Sequence, residues 1–269
     1  MKEIELKGLR EVVYYDKVSS GMPVYVWKND KVKGVFSALC VNYGSIHQEF
    51  KMNGKNKYYQ VPSGIAHFIE HLNFYEPDGT TATDFYAKYG SEVNAFTTFD
   101  YTCYHLYSTV EFKANLNHLL DFVLTPSFNK KMVNKEKNII IEELSMDEDI
   151  PETQLYFQHY ANLFHKYKYK EPITGKKEDV QNTTLEDIEL VYDTFYHPKN
   201  MFLIVTGNVN PYDVIKITEE NLKKKKLSVY KNPKMKKYRE EASVVNAISE
   251  ISGNVENTKL KISVKTPLS

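Results

Sequence analysis

The sequence predicts an α+β fold, in which helices pack on a layered, antiparallel or mixed β-sheet. Two observations favour this class. Short apolar and aromatic runs follow one another near the N-terminus with no helix between them, and further strand-like runs recur between later helical segments, which excludes strict β-α-β alternation. The 269 residues, 42% of them hydrophobic, suffice to bury a sizeable core.

The elements are predicted in order from periodicity, turn signals and helix caps. Strands are predicted at 12–15, 23–27, 35–43, 93–97, 102–110 and 201–206. Helices are predicted at 64–74, 81–89, 112–123, 129–146, 152–164, 185–195 and 211–221. Ser63 is the predicted N-cap of the helix at 64–74. The polar, lysine-rich stretch 44–63 is predicted to be a loop.

The helix at 64–74 carries the most informative motif of the chain, His67-Phe68-Ile69-Glu70-His71. Residues four apart project from the same side of a helix, so His67 and His71 can bind one metal ion while Glu70 lies beside them. Two neutral imidazoles and a free carboxylate are the groups that a zinc-activated water requires. A surface helix that carries these residues without a metal is the alternative.

An open catalytic zinc site needs a third protein ligand, which we expect from another element. The helix predicted at 129–146 offers Glu136 and Glu143, seven residues apart and therefore on one face. Glu142 projects elsewhere. These acids can also be ordinary solvated charges that pair with neighbouring lysines.

Several motifs together resemble one peptidase family. They lie in residues 43–45, 64–71, 93–97, 136–143 and 195–201. In this order they resemble the inverzincin peptidases related to pitrilysin, insulin-degrading enzyme and the mitochondrial processing peptidase. The resemblance spans residues 20–207. Within it, the run 136–146 and its acidic continuation 147–151 resemble the small bacterial members, some of which serve peptide or bacteriocin maturation. It implies a half-clamshell domain.

The resemblance also implies the roles of the residues at the metal site. His67, His71 and Glu143 would bind zinc, for which a His₂Glu set is well suited. Glu70 would be the general base that takes a proton from the metal-bound water and returns it to the departing amine. Glu136 would orient a ligand histidine from outside the ligand set.

The strand predicted at 93–97 implies a substrate site. Asn94, Ala95 and Phe96 match the strand edge along which these enzymes bind an extended peptide. Backbone N–H and C=O groups at such an edge bind any peptide with little sequence preference. The sequence thus predicts a zinc metalloendopeptidase acting on peptides or small unfolded proteins, with a non-catalytic, peptide-binding subunit as the alternative.

The domain organisation is expected to have three parts. Residues 1–222 would form the zinc-binding catalytic domain, 223–245 a basic linker, and 246–269 the start of a second, truncated homologous domain that opens with a strand at 259–264. Family members usually have a second half that closes over the first. We therefore expect a partner for this chain, either that second half or a companion subunit.

Composition and charge exclude other classes of function. The 35 basic and 35 acidic residues cancel, so no overall field recruits nucleic acid or an acidic membrane. The basic run at 223–226 lacks interleaved aromatic residues and is interpreted as a linker rather than a binding patch. No apolar leader or spanning segment is predicted, which favours a cytoplasmic location. Cys40 and Cys103 are predicted to be buried free thiols, with a disulfide as the alternative.

Overall fold

A seven-stranded mixed sheet forms the centre of the fold in the computed structural model, which describes residues 1–253 and 255–266. Its strands, in spatial order, are β1 (Lys2–Leu6), β2 (Glu11–Lys17), β3 (Pro23–Lys28), β9 (Met201–Gly207), β4 (Val35–Val41), β8 (Thr102–Ser108) and β7 (Glu92–Thr97). A smaller sheet contains β10 (Lys234–Met235), β5 (Glu49–Lys51) and β6 (Tyr59–Gln60).

The order of the strands makes β9 central and β7 an edge. All neighbouring pairs are antiparallel except β3 and β9, which run parallel. Strand β9 lies between β3 and β4, although it comes much later in the chain. Among the described residues β7 pairs only with β8, so its other side offers unpaired backbone groups.

Eight α-helices accompany the sheet in the described part of the chain. They are α1 (Ile65–Asn73), α2 (Ala82–Ala87), α3 (Phe112–Leu124), α4 (Lys130–Glu148), α5 (Pro151–Leu163), α6 (Lys177–Asn182), α7 (Leu185–Phe195) and α8 (Pro211–Lys223). One core joins the sheet to α1, whose Phe68, Ile69 and Leu72 are almost fully buried. Burying such side chains stabilises the fold by about 1.5–3 kcal/mol each, which holds α1 rigidly in place.

The two faces of the sheet differ in the residues that they present. Because side chains alternate along a strand, Leu39 and Val41 of β4 join the main core, whereas Ala38 and Cys40 point to the opposite face. There they form a small apolar cluster with Cys103 of β8. Both cysteines are free thiols, as predicted, and the fold brings them together from distant positions in the sequence.

The α+β class and the main elements are confirmed, but two local predictions were wrong and two elements were missed. Ser63 does not cap α1; its hydroxyl donates to Asp179 Oδ2 and accepts the backbone N–H of Lys176. Gly64 is the N-cap residue instead, at φ 81°. The stretch 44–63, predicted to be a loop, contains β5 and β6, which are too short to show a hydrophobic period. Strand β1 and helix α6 were not predicted.

The region predicted as a basic linker lies against the rest of the chain. Its strand β10 pairs with β5, and Tyr238 donates a hydrogen bond to Glu49. The Glu240 carboxylate accepts the backbone N–H groups of residues 165, 166 and 167 and the ammonium of Lys265. The segment 259–264, predicted to be a strand, is irregular, because it makes no ladder with another described residue.

Candidate metal centre

Helix α1 presents both histidines of the motif at one place. His67 and His71 lie one turn apart, and their ring centroids are 4.4 Å from each other. Gly64 permits this placement because a Cβ there would lie 2.3 Å from the carbonyl oxygen of Thr174, and because φ 81° disfavours other residues. The start of α1 therefore packs directly on the backbone before α6.

Helix α4 brings the third carboxylate to the histidines. Its Val133, Glu136, Ile140 and Leu144 recur at helical spacing and are buried, which directs this face of α4 inward. Glu143 Oε1 lies 3.7 Å from His67 Nε2, and Glu143 Oε2 lies 3.7 Å from His71 Nε2. One ligand atom from each of these three residues falls within 4.8 Å of the other two. The structure thus brings together the three predicted metal ligands.

This donor set fits a zinc ion. The two Nε2 to carboxylate distances are too long for hydrogen bonds. They are close to the spacing of about 3.4 Å that separates two ligand atoms around a tetrahedral zinc ion with bonds of about 2.1 Å. The two Nε2 to carboxylate distances of 3.7 Å exceed this spacing by about 0.3 Å. Burial, and then the neighbouring His71, lower the pKa of His67 to about 3, so at neutral pH this imidazole has a free lone pair.

Glu136 forms a hydrogen bond with the His71 ring. One of its oxygens accepts a hydrogen bond from His71 Nδ1 at 2.8 Å, which leaves Nε2 of that ring as the donor atom for a metal. Burial acts to lower the pKa of His71, but the hydrogen bond to Glu136 and the surrounding carboxylates outweigh burial and raise it. Glu136 is therefore placed to support a ligand rather than to be one.

Tyr75 is a member of the site that the sequence interpretation missed. Its hydroxyl donates to the second oxygen of Glu136 at 2.7 Å, so Glu136 is held between His71 and Tyr75. The signal was present in the sequence, because Tyr75 follows His71 by four residues and continues the same line of side chains just past the end of α1.

Glu70 lies buried beside the ligand set and is fixed by the sheet. Its Oε2 accepts a hydrogen bond from Thr97 Oγ1 of β7 at 2.5 Å. Burial raises the pKa of Glu70 and the bond from Thr97 opposes that rise. The sequence interpretation missed this role of Thr97, although alternation from Val93 and Ala95 puts Thr97 on the helix-facing side of β7.

The three residues predicted to bind substrate lie on the edge strand β7. Phe96 is exposed on the face of the sheet away from α1, and Ala95 is half-buried toward the helices. The Asn94 side chain accepts the N–H of Ala95, and β8 pairs with the inner side of the strand. The structure thus joins the edge strand to Glu70 through Thr97 and leaves one side of β7 open among the described residues.

No helix in the described ranges is long and apolar enough to cross a bilayer.

Comparison with known proteins supplies a second line of evidence. Residues 24–177 match the family model for insulinase, peptidase family M16, and residues 182–268 match the model for the peptidase M16 inactive domain. The uncharacterized zinc protease YmfH of Bacillus subtilis is 37% identical over 266 residues, which are 99% of this chain and 62% of that protein. The zinc protease PqqE of Helicobacter pylori is 34% identical over 169 residues, 59% of this chain and 37% of that protein.

Solved structures show the same fold. The crystal structure of an M16-like peptidase from Alicyclobacillus acidocaldarius superposes with a TM-score of 0.85 at 30% identity, over 91% of this chain and 57% of that one. A protease from Helicobacter pylori superposes with a TM-score of 0.73 at 23% identity, over 86% of this chain and 55% of that one. The chain spans less than two thirds of the length of each of these four relatives. By its family match and its fold, the chain belongs to the insulinase family of peptidases, M16.

Proposed function

We propose that the chain provides the metal-binding half of a zinc-dependent metalloendopeptidase that hydrolyses peptides or small unfolded proteins. The observation that carries the proposal is the convergence of His67, His71 and Glu143, from two helices, to within 4.8 Å. The relatives named zinc proteases support the choice of metal and reaction. His67 and Glu70 are buried beside a carboxylate from another element. Burying such groups costs free energy unless they are paired or bind a metal, which argues against a surface helix without a metal.

His67, His71 and Glu143 would hold the metal, and Glu70 would act on the water. When bound there, zinc supplies a Lewis acid and lowers the pKa of its water from 15.7 to about 7. Glu70 Oε2 is engaged by Thr97, so Oε1 is the atom free to accept a proton. Because burial raises the pKa of Glu70, this carboxylate is a stronger base than an exposed one, and it can pass the proton on to the departing amine.

The edge strand β7 would bind the substrate backbone. An extended peptide added to its open side would lie over the strand that positions Glu70. Asn94, Ala95 and Phe96 would contact it, and the exposed Phe96 ring offers an apolar surface to one substrate side chain. Backbone recognition predicts broad specificity. Maturation of a peptide or bacteriocin is the finer assignment that we propose within this class.

The proposed protein needs a second half or a companion subunit, and the division of the chain supports this. We propose residues 1–222 as the catalytic domain, 223–245 as the linker and 246–269 as the start of a second domain. Leu260, Ile262 and Val264 alternate with polar residues and are more than 80% exposed, so they offer an apolar row that further parts of a second domain would bury. A cytoplasmic location is part of the proposal, supported by the two free thiols.

Metal content and peptide cleavage test the proposal together. After chelation and reloading, wild type should bind one zinc ion per chain, and His71→Ala and Glu143→Gln should lose it. The control is Glu142→Gln, which changes the exposed neighbour on α4 and should keep the metal. Glu70→Gln should keep zinc and lose at least a hundredfold in turnover of an unstructured peptide. Full activity in Glu70→Gln at unchanged metal content would contradict the role of Glu70.

The alternative function is a peptide-binding subunit without catalysis. The same unstructured peptide is therefore tested with the chain alone and with its second half supplied. We expect weak cleavage by the chain alone and strong cleavage with the second half. Peptide binding without cleavage in both cases would favour the non-catalytic subunit, and robust cleavage by the chain alone would contradict the need for a partner.

A further inference from the structure

The two cysteines of the chain face each other across neighbouring strands, away from the metal centre. Cys40 of β4 and Cys103 of β8 are register partners in an antiparallel ladder. Their sulfur atoms lie 3.0 Å apart, and both side chains are about 5% exposed. The sequence contains no other cysteine. The fold therefore pairs the only two thiols of the chain, 63 positions apart in the sequence.

The backbone geometry of this pair suits a covalent bond. Facing residues in an antiparallel ladder have Cα atoms about 4.5–5.5 Å apart, within the range of about 4.4–6.8 Å that disulfides span. Their Cβ atoms need to approach by no more than about 1 Å. The side chains already point to the same face of the sheet, where Ala38, Phe36 and Phe202 surround them. A small shift of the two backbones toward each other is enough to form the bond.

We propose that Cys40 and Cys103 are a redox-active dithiol that a hydroperoxide converts reversibly to a cross-strand disulfide. The Cys40 thiolate attacks one peroxide oxygen, the O–O bond breaks, and Cys40 becomes a sulfenic acid as hydroxide leaves. The Cys103 sulfur then attacks the Cys40 sulfur, the S–O bond of the sulfenic acid breaks, and its hydroxyl leaves as water with the proton of the Cys103 thiol. Two thiols and one hydrogen peroxide thus give one disulfide and two waters, and two electrons pass from sulfur to oxygen.

The environment of the pair supports this order of events. The hydrogen-bonding contact with Cys103 outweighs burial and lowers the pKa of Cys40, whereas the contact with Cys40, together with burial, raises the pKa of Cys103. Cys40 is therefore the thiol that ionises first, and the thiolate is the reactive form. A peroxide is small enough to reach a sulfur that is 5% exposed, which a bulky disulfide oxidant is not.

The bond would close a loop that contains two of the elements of the proposed catalytic site. Helix α1 and edge strand β7 both lie between Cys40 and Cys103 in the sequence. Cys103 also pairs in register with Phe96 of β7. The Oγ1 of Thr102, the residue before Cys103, lies 3.4 Å from the Oγ1 of Thr97. Cys103 therefore lies on the strand that pairs with the proposed substrate edge, and Cys40 lies on the next strand, β4. Its oxidation is independent of the proposed function.

Thiol counting on the folded wild-type chain tests the proposal. The protein is treated with a small excess of hydrogen peroxide, unfolded in acid and denaturant, and alkylated. We expect both thiols to disappear together, a non-reduced digest to contain one peptide linking Cys40 to Cys103, and dithiothreitol to restore two thiols. The control is the double variant Cys40→Ala/Cys103→Ala, which reports the oxidation of the seven methionines alone.

Three outcomes would overturn the proposal. Both thiols could remain alkylatable at a peroxide dose that oxidises exposed methionines. One thiol could be lost while the other stays free. Both could pass to sulfinic acids that dithiothreitol does not reverse. The wild-type measurement does not depend on the folding of a variant, and Cys40→Ser should prevent loss of the remaining thiol under the same dose.

Discussion

His71 and Glu136 are joined by a 2.8 Å hydrogen bond between Nδ1 of the ring and a carboxylate oxygen, although they lie on different helices. The bond fixes which nitrogen of His71 faces Glu143. Glu136 is almost fully buried, and its other oxygen accepts the Tyr75 hydroxyl. A buried carboxylate with both oxygens occupied by α1 and its continuation is a fixed part of the proposed metal centre.

Replacing Glu136 should weaken zinc binding without removing a ligand. In Glu136→Gln the amide cannot accept from both partners as a carboxylate does, so His71 loses its fixed orientation. We expect zinc affinity to fall by about 10–100-fold. Competition with a chromophoric chelator measures this. Tyr75→Phe removes one of the two hydrogen bonds and should give a smaller loss; affinity unchanged in Glu136→Gln would show that the bond does not orient His71.

Thr97 should affect turnover through Glu70. Thr97→Val keeps the shape of the side chain but removes the hydroxyl that holds Glu70 Oε2. With Glu70 free to turn, we expect kcat on an unstructured peptide to fall by about 10–100-fold, with KM and zinc content unchanged. Thr97→Ser restores the hydroxyl and should recover most of the rate. Equal loss in the Ser and Val variants would point to packing rather than to the hydrogen bond.

Gly64 should be intolerant of a side chain. Gly64→Ala places a Cβ 2.3 Å from the Thr174 carbonyl oxygen at φ 81°, so strain adds to overpacking and we expect a loss of about 2–4 kcal/mol in the free energy of unfolding. Gly79→Ala is the matched control, because Gly79 has φ 88° with nothing within 4 Å. That variant should lose about 1 kcal/mol. Urea unfolding compares the two, and equal losses would exclude the contact with Thr174 as the cause.

Glu240 should make stability depend on acid pH. Although burial opposes it, the three backbone N–H groups and Lys265 lower the pKa of Glu240 from its ordinary value of 4.5 to about 2. A depressed pKa stabilises the folded state above pH 4.5, and this contribution is lost as pH falls through 2. At pH 7 Glu240→Gln should lower the free energy of unfolding by about 1–3 kcal/mol.

The size of that loss should depend on pH in a defined direction. Urea unfolding between pH 7 and pH 2 should show the difference between wild type and Glu240→Gln shrinking as pH falls below about 4.5. The control is Glu241→Gln, since Glu241 is half-exposed and its two ion pairs are 3.7 and 3.8 Å long. It should change stability by less than about 0.5 kcal/mol. A constant difference across this range would contradict the role of the Glu240 carboxylate.

Local elements were largely predictable, and the reasons are physical. The strand and helix periods in this chain are strong where one side of an element is buried and the other exposed, as in α8 and β9. The prediction of Ser63 as an N-cap followed the usual preference for a hydroxyl, but a packing contact between Gly64 and Thr174 outweighed it. Strands of two or three residues, such as β5 and β10, carry too few alternations to be recognised.

The sequence by itself determined that His67, Glu70 and His71 share one side of a helix, because the repeat of 3.6 residues per turn is a local property of the helical backbone. It also placed Glu136 and Glu143 on one face of α4. Only the tertiary structure decided that α4 and β7 meet α1, so that Glu143 approaches both rings, Glu136 orients His71 and Thr97 holds Glu70. Those contacts depend on the burial of apolar residues distant in the sequence, which no local period encodes.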